Sequence, residues 1–234
     1  MLNLFNLRKL CNLHKLSKCI KKMIISCANI KGGVGKSCLA QNIVVSLLKR
    51  EKSVYLVDAD SQETTADWIE ERRDNPDLEN IRFAKLTGKI REELLSIEEQ
   101  FDMVVVDCGG HDSDTMRWAI SASTHVLIPF RPKRRDLKLL PAMADLIDLI
   151  TPVNPDCKFS AVITQAPTLP SQVKRILDAK DACESFNINT LNTVIFHRNI
   201  YDDADESGST VIEEETNGKA ANEIEALIDE LLGE

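Results

Sequence analysis

The residues best suited to chemistry lie between Asn29 and Ser37. An apolar stretch, Ile24–Ala28, runs into Asn29-Ile30-Lys31-Gly32-Gly33-Val34-Gly35-Lys36-Ser37, and a helical pattern begins directly afterwards. Three glycines let the backbone curl until successive amides face inward onto an anion. The N-terminus of the next helix adds partial positive charge. In that geometry Lys36 would bridge the β- and γ-phosphate oxygens of a nucleotide, and the Ser37 hydroxyl would ligate Mg2+. The strict phosphate-loop pattern wants glycine five positions before Gly35, but Ile30 stands there and an additional lysine, Lys31, follows it. A glycine turn alone can be mere geometry, whereas Gly-Lys-Ser opening a helix after an apolar strand is far more specific.

Two further stretches place carboxylates at strand ends. Val54-Tyr55-Leu56-Val57-Asp58-Ala59-Asp60-Ser61-Gln62 is an apolar strand that ends in two acids and enters a helix; Phe101-Asp102-Met103-Val104-Val105-Val106-Asp107 ends in a third. Open α/β sheets bind ligands beyond the carboxyl ends of their strands, so these acids fall where the phosphates belong. Asp107 would hold Mg2+ through water. Asp58 and Asp60 admit a second reading, in which either one caps the next helix.

These groups have to be positioned by the alternation that surrounds them. Candidate strands are Ile24–Ala28, Val54–Val57, Ile81–Leu86, Met103–Val106, Val126–Phe130, Phe159–Thr164 and Thr193–Phe196. Between and after them the pattern predicts helices over Ser37–Lys49, Thr64–Arg73, Lys89–Glu99, Asp114–Ser123, Leu137–Ile150, Gln172–Ser185 and Ala220–Leu232. Near-continuous Val/Ile/Leu strands are those of a parallel sheet covered on both faces. The fold expected is therefore α/β: a doubly wound, mostly parallel sheet of about seven strands with helices on both faces.

Composition narrows the setting. The 234 residues suffice for one sizeable core, and 43% hydrophobic with 28% charged is ordinary for a globular chain. No apolar run approaches the ~18–20 residues of a membrane-spanning helix. Residues 1–22 hold six bases and no acid; the remaining 23 bases face 37 acids, so residues 23–234 carry a net −14. A body that acidic is unlike a sequence-specific DNA reader, although a local basic patch could still meet phosphates. Seven cysteines (Cys11, Cys19, Cys27, Cys38, Cys108, Cys157, Cys183) in irregular spacing without a Cys-x-x-Cys pair suit reduced thiols in a cytosol. The first 22 residues form a basic arm: an amphipathic helix able to lie on anionic lipid or grip a partner, a disordered leader, or sequence upstream of the true start. Residues 23–234 are expected to make a single domain.

Lys31-Gly32-Gly33-Val34-Gly35-Lys36-Ser37 resembles the deviant Walker A loop of the ParA/MinD superfamily of P-loop NTPases, and the likeness runs from about Met23 to the C-terminus. It implies that ATP and Mg2+ are the cofactors and that Lys31 reaches across an ATP-sandwich homodimer to the partner's nucleotide. The Asp58–Gln62 stretch is similar to the family's Asp-x-Asp-Pro-Gln motif, with Ser61 in place of Pro. On that resemblance Asp60 positions or deprotonates the attacking water and Asp58 lies near the metal's outer shell. Cys38 stands where relatives carry a threonine that binds the α-phosphate, and a thiol is a weak donor. Cys108-Gly109-Gly110-His111 would sense the γ-phosphate, while Thr164 and Gln165 match an adenine-contacting turn.

Pro129, Pro132 and Asp136 match a dimer-facing stretch of the short ParF-like branch. The cations Arg131, Lys133, Arg134, Arg135 and Lys138 beside them either meet DNA phosphates or face solvent. Lys174, Arg175, Lys180 and Arg198 are further candidates for DNA contact. The resemblance implies a weak ATPase that binds DNA non-specifically when ATP-bound and partitions plasmid or chromosome with a ParB-like centromere-binding partner, in the cytoplasm at the nucleoid. The alternative is a MinD-like or cargo-positioning switch acting at a membrane or on a protein cargo. The acidic polar face of the closing helix argues against the membrane. A metabolic ligase of the same branch would need a further substrate pocket, and the sequence shows no constellation for one.

Overall fold

The computed structural model describes residues 22–110 and 113–233. The expectations for residues 1–21 of the arm and for His111 lie outside the described residues. Seven strands form one sheet: β1 Met23–Cys27, β2 Val54–Ala59, β3 Arg82–Lys85, β4 Met103–Cys108, β5 His125–Phe130, β6 Lys158–Ala166 and β7 Asn189–Phe196. Their order is β3-β2-β4-β1-β5-β6-β7, and every pairing is parallel. β1, β4 and β5 are buried along their whole length, which is why they read as unbroken apolar runs. The chain reverses its winding around β1: β4 lies on one side and β5 on the other, and this opens a crevice beyond the carboxyl ends of those strands.

Ten α-helices are described: α1 Lys36–Lys49, α2 Thr64–Asp74, α3 Arg91–Glu98, α4 Asp114–Ala122, α5 Arg134–Leu137, α6 Leu140–Ile150, α7 Val173–Glu184, α8 Ile200–Glu206, α9 Val211–Glu214 and α10 Lys219–Leu232. Two apolar clusters fill the faces of the sheet. One gathers Ile43, Leu47, Trp68, Ile224 and Leu227 from α1, α2 and α10; the other gathers Leu94, Met116, Ile120, Met143 and Ile176 from α3, α4, α6 and α7.

Where the elements differ from the sequence pattern, the cause is local. The helix expected over Leu137–Ile150 is split, because α6 restarts with Pro141 in its first turn, a place that tolerates a missing N–H. Gln172 belongs to a single 3₁₀ turn, Pro170–Gln172, ahead of α7. Helices α8 and α9 had no counterpart in the pattern: seven and four residues are too few to establish a helical period.

The segment from α8 to α9 is tied to α2 by a buried clamp. Arg72 donates to both oxygens of Glu213 at 2.9 and 2.7 Å, to the Glu79 carbonyl at 2.8 Å and to the Gly208 carbonyl at 3.1 Å. Its guanidinium lies 5.3 Å from the Trp68 ring centroid, and Trp68 Nε1 donates to the Ser209 carbonyl at 3.0 Å. Gly208 has φ +66°, and a Cβ there would stand 2.3 Å from the Arg72 nitrogen. Gly208→Ala should therefore lower unfolding free energy by about 2 kcal/mol or more, combining backbone strain with a clash no rotamer relieves. Urea denaturation beside Gly88→Ala checks this, since Gly88 shares the positive φ at +79° but has open space around it.

Candidate functional site

The crevice begins at the end of β1. Asn29 is fully buried; its Nδ2 donates to the Pro129 carbonyl at 2.8 Å and its Oδ1 accepts the Lys31 amide at 2.9 Å, which pins the loop start to the end of β5. Gly33 and Gly35 hold φ of +70° and +94°, a left-handed backbone that side chains rarely adopt, and Gly35 precedes α1 with no side-chain cap. The first amides of α1 are thus left for a ligand. Lys36 is buried, and its Nζ donates to the Lys31 carbonyl at 3.1 Å. The side chain of Lys31 itself has no hydrogen bond or ion pair among the described residues and stands half-buried. A Cβ on Gly110 would come within 3.0 Å of Gly32 Cα, so only glycine lets the loop after β4 lie this close to the cradle.

The acids meet through sheet register. Asp58 and Asp107 are opposite residues of β2 and β4. Asp107 is fully buried; its Oδ2 accepts from Thr65 Oγ1 at 2.7 Å, and its Oδ1 has no hydrogen-bond partner. Burial pushes its carboxyl up to about 7, against the downward pull of the Thr65 and Ser37 hydroxyls. Asp58 spends both oxygens on backbone amides, Oδ1 on Asp60 and Oδ2 on Ala66, each at 2.9 Å. It therefore fixes the Asp60 loop and caps α2 from outside, with each of its oxygens already accepting one amide. Asp60 accepts the Gln62 amide at 3.0 Å and borders the cleft with Gly109 beside it.

A Mg2+ ion fits this donor set. Among the described residues no cluster of three or more His, Cys, Asp or Glu could hold a metal alone, but Mg2+ takes most of its oxygens from phosphates and water. Ser37 at the head of α1 and the unpartnered Oδ1 of Asp107 are the two groups the chain would contribute.

The cleft holds about 320 Å³ between the glycine loop, Asp60 and α8, and a smaller, more apolar cavity of about 150 Å³ adjoins it. Leu39, Ile195 and Phe196 line the smaller one, and Cys38, Gln165 and Tyr201 border both. Thr164 Oγ1 donates to the Val34 carbonyl at 2.7 Å, and Gln165 Nε2 donates to the Gly33 carbonyl at 3.2 Å. These two residues thus reach the phosphate loop from β6. The Cys38 thiol is pushed up to about 12, by burial first and by Asp205 and Asp202 next.

The chain matches the CobQ/CobB/MinD/ParA nucleotide-binding domain over residues 25–231. It belongs to that family. A curated relative, the maintenance of carboxysome distribution protein A of Halothiobacillus neapolitanus, is 26% identical over 219 residues, covering 91% of this chain and 97% of the relative. The chromosome partitioning protein ParA of Myxococcus xanthus is 25% identical over 179 residues, 60% of this chain and 63% of that one. Among solved structures, the MinD cell division protein of Aquifex aeolicus superposes with a TM-score of 0.73 at 19% identity, covering 91% of this chain and 98% of MinD. The expected α/β P-loop fold of the ParA/MinD type is thereby shown, with all seven strands parallel rather than most of them.

On this family scaffold the cations separate into two groups. Arg131 grips the buried Asp136 at 2.5 and 3.1 Å, Arg198 is paired with Glu223, and Lys180 Nζ donates to the Leu191 and Asn192 carbonyls at 2.7 and 2.9 Å. These three candidates for DNA contact are instead engaged within the chain. Asp136 is likewise buried and paired with Arg131. Lys133, Arg134, Arg135, Lys138, Lys174 and Arg175 remain exposed. No helix among the described residues is long and apolar enough to cross a membrane. Sequence reasoning missed Asn29 and Thr65. An Asn directly after a strand is an Asx-turn signal that could have been read, whereas nothing in the spacing marks Thr65.

Asp107 also makes a prediction about pH. A carboxyl raised to about 7 in the fold, against 3.8 ordinarily, binds its proton more tightly folded than unfolded. Its contribution is full below about pH 4 and is lost as pH rises toward 7. Asp107→Asn, lacking that charge, should unfold at a higher temperature than the nucleotide-free wild type at pH 7.5. The gap should close by pH 4, and calorimetry at the two pH values measures it.

Proposed function

We propose that the chain is a Mg2+-dependent ATPase switch of the ParA type, in which two copies enclose ATP and the closed pair positions a cargo. The observation that carries this reading is Lys31: a lysine at the rim of a ready phosphate cradle, without a side-chain partner among the described residues. A cation so placed serves phosphates brought by a second copy better than its own, which Lys36 already addresses. In the closed pair Lys36 leaves the Lys31 carbonyl for the β- and γ-phosphates, and Lys31 adds charge from across the interface. Asp60, at the mouth of the cleft, orients the attacking water. Ser37 and Asp107 Oδ1 would hold the metal, which when bound would supply neutralisation of phosphate charge.

Turnover is slow in the isolated protein, because the nucleotide acts as a timer for assembly. The exposed group of Lys133, Arg134, Arg135, Lys138, Lys174 and Arg175 supports non-specific contact with DNA phosphates in the ATP-bound pair. The cargo of this reading is a plasmid or chromosome, delivered by a ParB-like centromere-binding protein that triggers hydrolysis and release from the nucleoid. A second cargo class has support of its own. The relative matched along nearly its full length is named for carboxysome distribution, which favours a protein body carried over the same DNA.

Lys31→Ala and Asp60→Ala separate the parts. With Mg2+-ATP, light scattering should show wild type as a dimer and Lys31→Ala as a monomer. Asp60→Ala should dimerise and retain DNA while its hydrolysis falls at least about a hundredfold. Normal cycling by both variants would refute the assignments; an ATP-bound dimer indifferent to DNA would remove the nucleoid from the scheme.

A further inference from the structure

We propose that Thr65 is a positioning residue for the metal: its hydroxyl holds one oxygen of Asp107 so that the other is aimed at Mg2+ beside Ser37. The inference rests on the Mg2+-ATP reading above and adds to it a residue that no sequence motif contains.

Three observations converge on it. Thr65 is the second residue of α2 and is fully buried, and its Oγ1 donates to Asp107 Oδ2 at 2.7 Å. With Oδ2 taken, Oδ1 remains as a buried carboxylate oxygen without a hydrogen-bond partner, although the nearby Ser37 hydroxyl acts on the carboxyl. The neighbouring carboxylate, Asp58, has spent both oxygens on the Asp60 and Ala66 amides. Of the two acids set side by side by the β2–β4 register, only Asp107 has an oxygen without a hydrogen bond, and Thr65 determines which one. A carboxylate that accepts from no second group can rotate and present either oxygen; one fixed at Oδ2 presents the same oxygen each time. Outer partners of this kind set metal affinity by orienting the ligand rather than by touching the ion.

The placement of Thr65 also ties the metal to the rest of the cleft. α2 follows Asp60 in sequence and is anchored at its far end by the Arg72–Glu213 clamp, which fastens the segment after α8. A shift of α2 would move the Thr65 hydroxyl and hence the free oxygen of Asp107. Asp60, the metal ligand and the cleft wall on α8 are thus held in one frame.

The test is nucleotide binding by the full chain, with Mg2+ titrated from a chelated start, for wild type, Thr65→Val, Thr65→Cys and Thr65→Ser. Valine keeps the shape and removes the hydroxyl; half-saturating Mg2+ should rise about tenfold or more, while ATP affinity in chelator stays within about twofold of wild type. Serine should restore the wild-type titration. Cysteine, a weak donor of similar size, should fall between and serves if valine does not fold. Wild-type Mg2+ dependence in the valine or cysteine variant would overturn the proposal. So would an equal loss of ATP affinity with and without Mg2+, which is the mark of a residue that only supports the fold. Wild-type affinity for ATP that ignores Mg2+ altogether would overturn the metal site and this inference with it, whereas failure of wild type to bind ATP under any condition would overturn the nucleotide reading itself.

Discussion

A buried carboxylate oxygen without a donor is the constraint around which the crevice is organised. Leaving such an oxygen dry costs on the order of 1–3 kcal/mol, and more when the group is charged. Asp107 meets that cost at the end of β4, in the middle of the sheet, where parallel packing excludes water. The fold eases it only partly, through Thr65 and Ser37, and the carboxyl stays well above its ordinary range. A site left in this condition favours arrival of a cation, because the cation removes a penalty the folded chain already carries. The glycine loop opposite has the reverse imbalance: amides without acceptors at the head of α1 and a lysine parked on a carbonyl. A metal–phosphate pair would correct both at once.

The surrounding elements keep those imbalances facing each other. β1 and β4 run side by side, so the glycine loop and Asp107 leave the sheet from adjacent strand ends. Asn29 holds the loop to β5, while Thr164 and Gln165 reach it from β6. On the other flank α2 is fixed near its start by Asp58 and Thr65 and at its end by Arg72. The cradle is thus braced from three directions by groups that never meet the phosphates. Distortion of any of them would misplace amides whose value to an anion depends on alignment.

The fold was largely legible in the sequence because its signals are local and redundant. Buried parallel strands read as Val/Ile runs, and Gly-Lys-Ser before a helix has few other uses. The misses share a different cause. Asp58 could be read from sequence either as an outer-shell acid or as a helix cap, and the amides at Asp60 and Ala66 supply the capping contact. Thr65 lies 42 positions from Asp107, and no spacing rule links a hydroxyl on one element to a carboxylate on another. Arg131 and Arg198 looked like surface charge for the same reason: Asp136 and Glu223 meet them only once strands and helices have packed. Motifs reveal groups that act along a stretch of chain; pairings set by tertiary approach stay hidden until the elements are assembled.

That distinction bears on how the switch would act at a distance. The body of the chain is strongly acidic, so whole-molecule charge opposes any approach to DNA, and on the proposed function a few exposed lysines and arginines on α7 and on and beside α5 would have to overcome it. A single copy presents six such groups against a net −14 background. Two copies locked in one orientation would present twelve along a shared surface. Contacts to separate phosphates on the same duplex then reinforce one another, as linked binding sites do. Affinity for DNA can therefore be conditional on nucleotide without any rearrangement of the basic groups themselves. On the function proposed above, enclosing ATP between the copies would be sufficient, and hydrolysis would return each copy to a state whose own charge favours release.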